Sequence, residues 1–272
     1  MQTVILGFIG AGNMARSLIK GLVQDKFNPQ HIWAACPDKL ALDKLQHELN
    51  INITQHNAEV IAKANVIILA VKPQVISLVC QELKTPIAKQ QPLIISIVAG
   101  TTLKQLNQAL GPTLPIVRTM PNAPALIRSG ITGLLANSYV NDDQKNIAQN
   151  IMQAVGQILW VDSENQLDAV TALSGSGPAY FLLFMQALKQ AGITVGLTEK
   201  QAELLTVETA LGTAKLALVS KEDWALLQQR VTSPKGTTEQ AIKIFNEHHL
   251  DDICQQAIKA AYRRAQELAN IG

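Results

Sequence analysis

Cysteine is scarce in this sequence and is not arranged for metal binding or cross-linking. The 272 residues contain three cysteines, Cys36, Cys80 and Cys254, which lie far apart in the chain. The sequence has no C-x-x-C pair and no cluster of cysteine with histidine, so it indicates neither a zinc site nor a disulfide framework. We therefore expect no metal.

Excess charge and long apolar runs are also missing. A formal net charge of +2 gives no electrostatic reason to bind nucleic acid or an anionic membrane surface. No uninterrupted apolar run is long enough to span a bilayer, and the apolar N-terminus lacks the basic flank of a signal peptide. These absences favour a cytoplasmic enzyme with a small-molecule substrate and argue against nucleic-acid and membrane partners.

The most informative stretch is an apolar segment near the N-terminus that ends in glycine. Residues 3–9 (TVILGFI) are typical of a strand buried on both faces, and a helical pattern follows. Between them, Gly10, Gly12 and Ala15 match the G-x-G-x-x-A dinucleotide-binding pattern. Gly10 permits the tight turn, and Gly12 leaves room for a pyrophosphate at the positive end of the helix. An ordinary glycine-rich strand–helix turn is the alternative.

Predicted strands and helices alternate over the first 164 residues, after which the strands cease. Such alternation indicates right-handed βαβ units on a mostly parallel, doubly wound sheet. We therefore predict an α/β dinucleotide-binding domain over residues 1–164 and an all-helical domain over residues 165–272. The predicted strands cover residues 3–9, 31–36, 51–53, 66–71, 93–98, 116–118, 131–135 and 158–161, and the C-terminal helices include residues 178–191, 199–219, 239–247 and 250–270.

The ends of the predicted strands carry small residues and prolines, and ligands of doubly wound sheets bind there. The second strand ends in Ala34-Ala35-Cys36 without a carboxylate that would repel a 2′-phosphate, which favours NADPH over NADH. The alternative is that Asp38 still reaches a ribose. Lys72 is either a site residue or a solvated loop lysine. Asn122, in a proline-rich loop, can fix a carboxamide or a substrate, or simply form a turn.

Two stretches of the helical part differ from ordinary helix. Residues 173–180 (LSGSGPAY) lack the lysine of a P-loop, so they predict a close helix-packing turn. In residues 231–240 (VTSPKGTTEQ), Thr237 and Gln240 have capping-box spacing, so Thr237 is predicted to cap a helix that begins at Thr238. The free N–H groups and the Thr238 hydroxyl suit a small carboxylate, although a plain capped loop is the alternative.

Together these stretches resemble the pyrroline-5-carboxylate reductases over nearly the whole chain. The resemblance rests on residues 7–12, 69–73, 120–124, 168–180 and 233–238. It implies NAD(P)H-dependent reduction of 1-pyrroline-5-carboxylate to L-proline, the last step of proline biosynthesis. It also implies an N-terminal Rossmann domain and a C-terminal helical dimerisation domain, in a homodimer or a higher oligomer of dimers. Each substrate site would lie between one chain's Rossmann domain and its partner's helices.

The resemblance also implies roles for individual residues. Thr238 would be the catalytic residue, at the ring nitrogen of the substrate. Ser233, Gly236, Thr237 and Thr238 would bind the substrate. The predicted cofactor site combines residues that the resemblance implies with residues at the strand ends. For NADPH, or NADH, it comprises Gly10, Ala11, Gly12, Asn13, Met14, Cys36, Asn57, Ala70, Lys72, Pro73, Ala99 and Asn122.

Two departures from the family pattern leave details open. Many members carry a serine or a basic residue where Cys36 stands, so the 2′-phosphate contacts are not assigned. Some members place an acid near the substrate at the position of Lys221, which is followed here by Glu222. We therefore assign no acidic catalytic helper.

The chemistry of a cyclic imine agrees with what the predicted active loops lack. A protonated imine is already electrophilic, so orientation of the reactants is the main demand, and the five histidines lie outside those loops. Two other classes of nucleotide-binding protein would differ in particular residues. A 3-hydroxyacid dehydrogenase would carry a lysine at the position of Phe181, and a non-catalytic nucleotide sensor would need no carboxylate-binding loop at residues 233–238.

Overall fold

An eight-stranded sheet organises the N-terminal part of the chain. The computed structural model describes residues 3–271, and the side chains of residues 3–269. The sheet order is β3-β2-β1-β4-β5-β6-β7-β8, and every neighbouring pair is parallel except β6 and β7. The predicted mostly parallel, doubly wound sheet is therefore confirmed. The strands are β1 (Leu6–Ile9), β2 (Ile32–Ala35), β3 (Asn52–Thr54), β4 (Val66–Leu69), β5 (Leu93–Ser96), β6 (Ile116–Met120), β7 (Gly130–Ala136) and β8 (Gly156–Trp160).

Helices follow most strands and then continue without strands to the C-terminus. Seven accompany the sheet: α1 (Asn13–Gln24), α2 (Lys39–Leu49), α3 (Asn57–Lys63), α4 (Ile76–Gln90), α5 (Leu103–Leu110), α6 (Asp142–Gln153) and α7 (Glu164–Val170). A π-helical segment, Thr171–Gly175, links α7 to the next helix. The remaining helices are α8 (Gly177–Thr194), α9 (Glu199–Val219), α10 (Trp224–Arg230), α11 (Thr237–Glu247) and α12 (Leu250–Ile271).

The central strands are buried on both faces, which fixes where a ligand can bind. Phe8 and Ile68 are register partners in β1 and β4 and belong to one apolar layer, whereas Ile9 and Leu69 belong to the other. Because helices cover both faces of the sheet, a ligand binds beyond the carboxyl ends of the parallel strands. The carboxyl ends of β1, β4 and β5 meet at the same edge of the sheet.

Helix α4 is longer than the sequence pattern predicts. The sequence pattern predicts a helix over residues 74–83, whereas α4 runs from Ile76 through Pro86 to Gln90. Burial explains the difference, because Leu83 and Ile87 extend the stripe of buried residues along the helix. The apolar contacts of Ile87 offset the backbone hydrogen bond that proline cannot donate.

The chain divides into two compact units. The first runs to Ser176 and includes the C-terminal segment from Ala261, and the second is Gly177–Ala260. The predicted domains, 1–164 and 165–272, stay a prediction, since the compact units divide at Ser176. Helix α7 belongs to the first unit because it packs on β7, where a side chain at Gly133 would lie 2.9 Å from both Leu167 and Val170.

The second unit buries little of its apolar surface within one chain. Gly177 is the buried residue of α8 and Ala202 that of α9, and no residue of α10 or α11 is buried. Phe181 and Leu183 on α8 are 72% and 73% exposed. None of the helices in the described part of the chain is long and apolar enough to cross a membrane.

Candidate functional site

The loop between β1 and α1 forms an open cradle at the start of a helix. Gly10 has φ +103° and its N–H donates to the Ala35 carbonyl at 2.8 Å. A Cβ there would lie 2.5 Å from the Ala70 oxygen, so glycine is required. At Gly12, which precedes α1, a Cβ would meet nothing within 4 Å, and no described side chain caps the helix.

This cradle suits an anion. The Arg16 N–H makes the first intrahelical bond, to the Gly12 carbonyl at 2.9 Å. The N–H groups of Asn13, Met14 and Ala15 therefore lie in the first turn, where helical bonding leaves them without an intrahelical partner. Open space in front of such groups at a positive helix end can hold a pyrophosphate. The residues present thus fit the phosphates of a dinucleotide.

The end of β2 carries no free carboxylate. Cys36 follows the strand and is half-buried. The Asp38 carboxylate accepts the Ala41 N–H at 3.1 Å and caps α2. The helix thus engages the Asp38 carboxylate, which could otherwise hold a ribose. At the start of α3, Asn57 donates from Nδ2 to Glu82 Oε2 at 3.1 Å.

Two further loops reach the same edge of the sheet. Ala70 follows β4, and its N–H donates to the Ile9 carbonyl at 2.8 Å. Lys72 is exposed and precedes a 3₁₀ turn over Pro73–Val75. Ala99, also exposed, follows β5. Because β1, β4 and β5 are parallel neighbours, Gly10, Ala70 and Ala99 come together at one edge.

Asn122 joins two protein segments through its side-chain amide. Its Nδ2 donates to the carbonyl and the Oγ of Ser174 at 3.3 and 3.2 Å, and its Oδ1 accepts the Ile131 N–H at 3.0 Å. The amide therefore holds this loop against the π-helical segment, and a contact with cofactor stays a prediction. Nearby, a Cβ at Gly175 would lie 2.6 Å from Met120 Cε, so the chain packs closely here, although residues 171–175 form a π-helical segment rather than the predicted turn.

In the second unit, residues 233–238 turn directly into α11. The Gly236 N–H donates to the Ser233 carbonyl at 3.0 Å, and Lys235 has φ +58°. Thr238 is half-buried within the first turn of α11, whereas Thr237 is exposed. The turn thus brings a hydroxyl and backbone N–H groups to a positive helix end.

The predicted capping role of Thr237 is wrong. Gly236 occupies the capping position, without a side-chain cap, and α11 begins at Thr237 rather than at Thr238. The turn before α11 takes the place of a side-chain cap, because Glu239 in the first turn of the helix accepts the Lys235 N–H at 2.8 Å. A Thr237→Val substitution would therefore remove no helix cap.

A buried ion cluster was missed from the sequence. Arg118, 3% exposed on β6, forms an ion pair with Glu164, and its Nη2 lies 3.8 Å from Asp168 Oδ1. That oxygen is buried and has no hydrogen-bond partner. Burial raises the pKa of Asp168, and the Arg118 charge opposes this. An arginine in the otherwise apolar run Ile116-Val117-Arg118 was the available signal.

Glu222, which follows Lys221, lines a small cavity with Leu226, Gln229 and Arg230. Its Oε1 pairs with Arg230 at 2.7 Å, and its Oε2 is buried without a hydrogen-bond partner. Over residues 3–269, no group of three or more His, Cys, Asp or Glu side chains is placed to hold a metal ion.

Comparisons with known proteins cover the whole chain. A family model for pyrroline-5-carboxylate reductase dimerisation matches residues 164–268, and a model for NADP oxidoreductase, coenzyme F420-dependent, matches residues 5–100. The pyrroline-5-carboxylate reductase of Pseudomonas aeruginosa is 48% identical over 269 residues, which cover 99% of this chain and 98% of that protein.

Solved structures show the same similarity. The pyrroline-5-carboxylate reductase of Coxiella burnetii matches with a TM-score of 0.95 and 44% identity, covering 98% of this chain and 99% of that one. The pyrroline carboxylate reductase of Plasmodium falciparum, solved with NADP bound, matches with a TM-score of 0.87 and 27% identity, covering 99% of both chains.

Proposed function

Because this chain belongs to the pyrroline-5-carboxylate reductase family, it reduces 1-pyrroline-5-carboxylate to L-proline with a pyridine nucleotide, and we propose that NADPH is that nucleotide. The open helix N-terminus at Gly12 is the observation that carries dinucleotide binding, and the end of β2 carries the choice of NADPH. In the proposal, residues 10–14 hold the pyrophosphate, Asn57 contacts the adenosine, and Ala70, Lys72, Pro73 and Ala99 surround the nicotinamide. When bound, the cofactor supplies the hydride.

The preference for NADPH over NADH follows from the end of β2. Cys36 carries no charge that would repel a 2′-phosphate, and the Asp38 carboxylate is engaged as a helix cap. The exposed Lys39 adds a nearby cation. The Plasmodium falciparum relative, whose structure contains NADP, supports the same choice.

We expect Cys36→Asp to shift the preference towards NADH. A carboxylate beside the 2′-phosphate should lower the ratio of kcat/KM for NADPH to that for NADH by about tenfold through like-charge repulsion. Cys36→Asn, which is similar in size and uncharged, is the matched control. Steady-state kinetics with both cofactors measure the ratio, and equal ratios in the two variants would count against the inference.

The loop at residues 233–238 is proposed to hold the substrate. The substrate carboxylate would accept hydrogen bonds from N–H groups in the first turn of α11, with Ser233 and Gly236 forming the preceding turn. Thr237 belongs to the same first turn. The Thr238 hydroxyl is proposed to contact the ring nitrogen, where a proton is held as the imine becomes an amine. Orientation of the imine carbon towards the nicotinamide supplies the larger part of catalysis.

Thr238→Val is expected to lower kcat/KM for 1-pyrroline-5-carboxylate by about 10- to 100-fold, which corresponds to one lost hydrogen bond to a charged group. The KM for NADPH should stay near that of the wild type, because the hydroxyl serves the substrate. Thr232→Val is the control, since its hydroxyl donates to the Gln228 carbonyl at 2.7 Å. Wild-type turnover by Thr238→Val at every substrate concentration would show that the assigned role is wrong.

The helical part of the chain is a dimerisation domain. We propose that the enzyme is active only as a dimer, because α8 and α9 expose apolar side chains that a surface helix does not tolerate. On α8 these side chains include Phe181, Leu182 and Leu183, and on α9 Leu204 and Leu205. A higher oligomer of dimers stays a prediction.

A further inference from the structure

An ion pair between the buried Arg118 and the half-buried Glu164 is bonded to the segment that follows Ala99. Glu164, at the start of α7, uses both carboxylate oxygens: Oε2 pairs with Arg118, and Oε1 accepts the Leu103 N–H at 2.7 Å. Leu103 is the first residue of α5, directly after the loop of residues 99–102. A single carboxylate thus connects a buried cation on β6 to the end of that loop.

The same loop is held at its other end and along its length. The Thr119 hydroxyl donates to the Ser96 carbonyl at 3.1 Å, where β5 ends. Gly100 has φ +76°, and a Cβ there would lie 3.5 Å from the Leu268 side chain. Because hydrogen bonds hold both the strand end before the loop and the helix start after it, the backbone at Ala99 is restrained from both sides.

We propose that Arg118 and Glu164 are positioning residues that set the 99–102 loop for nicotinamide binding. This inference rests on the proposed placement of the ring at Ala99. Arg118 is buried and charged, so it needs a carboxylate partner, which Glu164 Oε2 provides. The other oxygen of Glu164 accepts the Leu103 N–H. Without that bond, the α5 end of the loop keeps its capping box between Thr102 and Gln105 but loses its link to the buried cation on β6.

Glu164→Gln separates positioning from folding. Asp168, whose Oδ1 lies 3.8 Å from Arg118 Nη2, stays as a counter-charge, so the arginine is not left unpaired. The glutamine oxygen can still accept one hydrogen bond, either from Leu103 or from Arg118, whereas Glu164→Ala accepts none. Asp25→Asn, which removes a surface ion pair with Arg128 in the same compact unit, is the matched control.

The experiment measures KM for NADPH, KM for 1-pyrroline-5-carboxylate and kcat in five proteins. These are the wild type, Glu164→Gln, Glu164→Ala, the control Asp25→Asn and Ala99→Val. We expect the KM for NADPH to rise by about fivefold in Glu164→Gln and by about 20-fold in Glu164→Ala, with a smaller change in kcat, because displaced binding groups weaken positioning steeply. The KM for the substrate, measured at saturating NADPH, and all constants of Asp25→Asn should stay near wild-type values. Ala99→Val should also raise the KM for NADPH.

Two other outcomes would overturn the inference, and they differ in what else they overturn. If Ala99→Val raises the KM for NADPH but the Glu164 variants change both KM values equally or neither, the positioning role is wrong and the ring site stands. If Ala99→Val leaves the KM for NADPH unchanged, the proposed ring site is wrong, and the inference with it.

Discussion

Leu183→Glu is expected to convert the protein to monomers and to lower turnover by about 100-fold or more, since an unpaired carboxylate in an apolar interface costs several kcal/mol. Leu183 is 73% exposed in the single chain, on a helix whose neighbouring Phe181 and Leu182 are 72% and 64% exposed. One chain offers these side chains no cover, so a second copy must bury them.

Leu78→Glu is the matched control. Leu78 is 69% exposed on α4, which accompanies the sheet, and it belongs to neither proposed binding site. Sedimentation and activity measured on the same samples should show a fully active dimer for this control. A folded Leu183→Glu monomer with wild-type turnover would refute the dimer requirement.

Gly12→Val should abolish useful cofactor binding while the protein stays folded. A Cβ at Gly12 would meet no protein atom within 4 Å, so a side chain there enters the open space assigned to the pyrophosphate. Loss of two charge-assisted hydrogen bonds, at about 2 kcal/mol each, weakens NADPH binding by about 1,000-fold. The dissociation constant can be measured by fluorescence titration.

Gly10→Val supplies the contrast. Its φ of +103° and the Ala70 oxygen at 2.5 Å make a side chain there costly to the fold itself. We therefore expect the thermal unfolding temperature to fall for Gly10→Val and to change little for Gly12→Val. If Gly12→Val binds NADPH as tightly as the wild type, the cradle at α1 is not the pyrophosphate site.

The features that sequence predicted well are those set by local pattern. The apolar run before Gly10 and the eight strands needed only periodicity and turn residues, and the sheet followed from alternation. The resemblance to reductases depended on stretches such as residues 168–180, which are too specific to arise from packing alone.

The misses have tertiary causes. Helix α4 passes through Pro86 because Ile87 is buried, a gain that no local propensity includes. Thr237 does not have its predicted capping role, because the preceding turn and the hydrogen bond from the Lys235 N–H to Glu239 already complete the start of α11. The contact between Arg118 and Glu164 joins residues 46 positions apart, which a single sequence does not reveal.

The most direct test of the account is a hybrid dimer of two impaired chains, one carrying Gly12→Val and the other Thr238→Val, co-expressed with different tags and purified by both. If the cofactor residues of one chain act with the substrate residues of its partner, one of the two sites in the hybrid is intact. The account then predicts about half of wild-type turnover per dimer. Activity no higher than that of the two parent variants would contradict it, because each chain would then carry a complete site of its own.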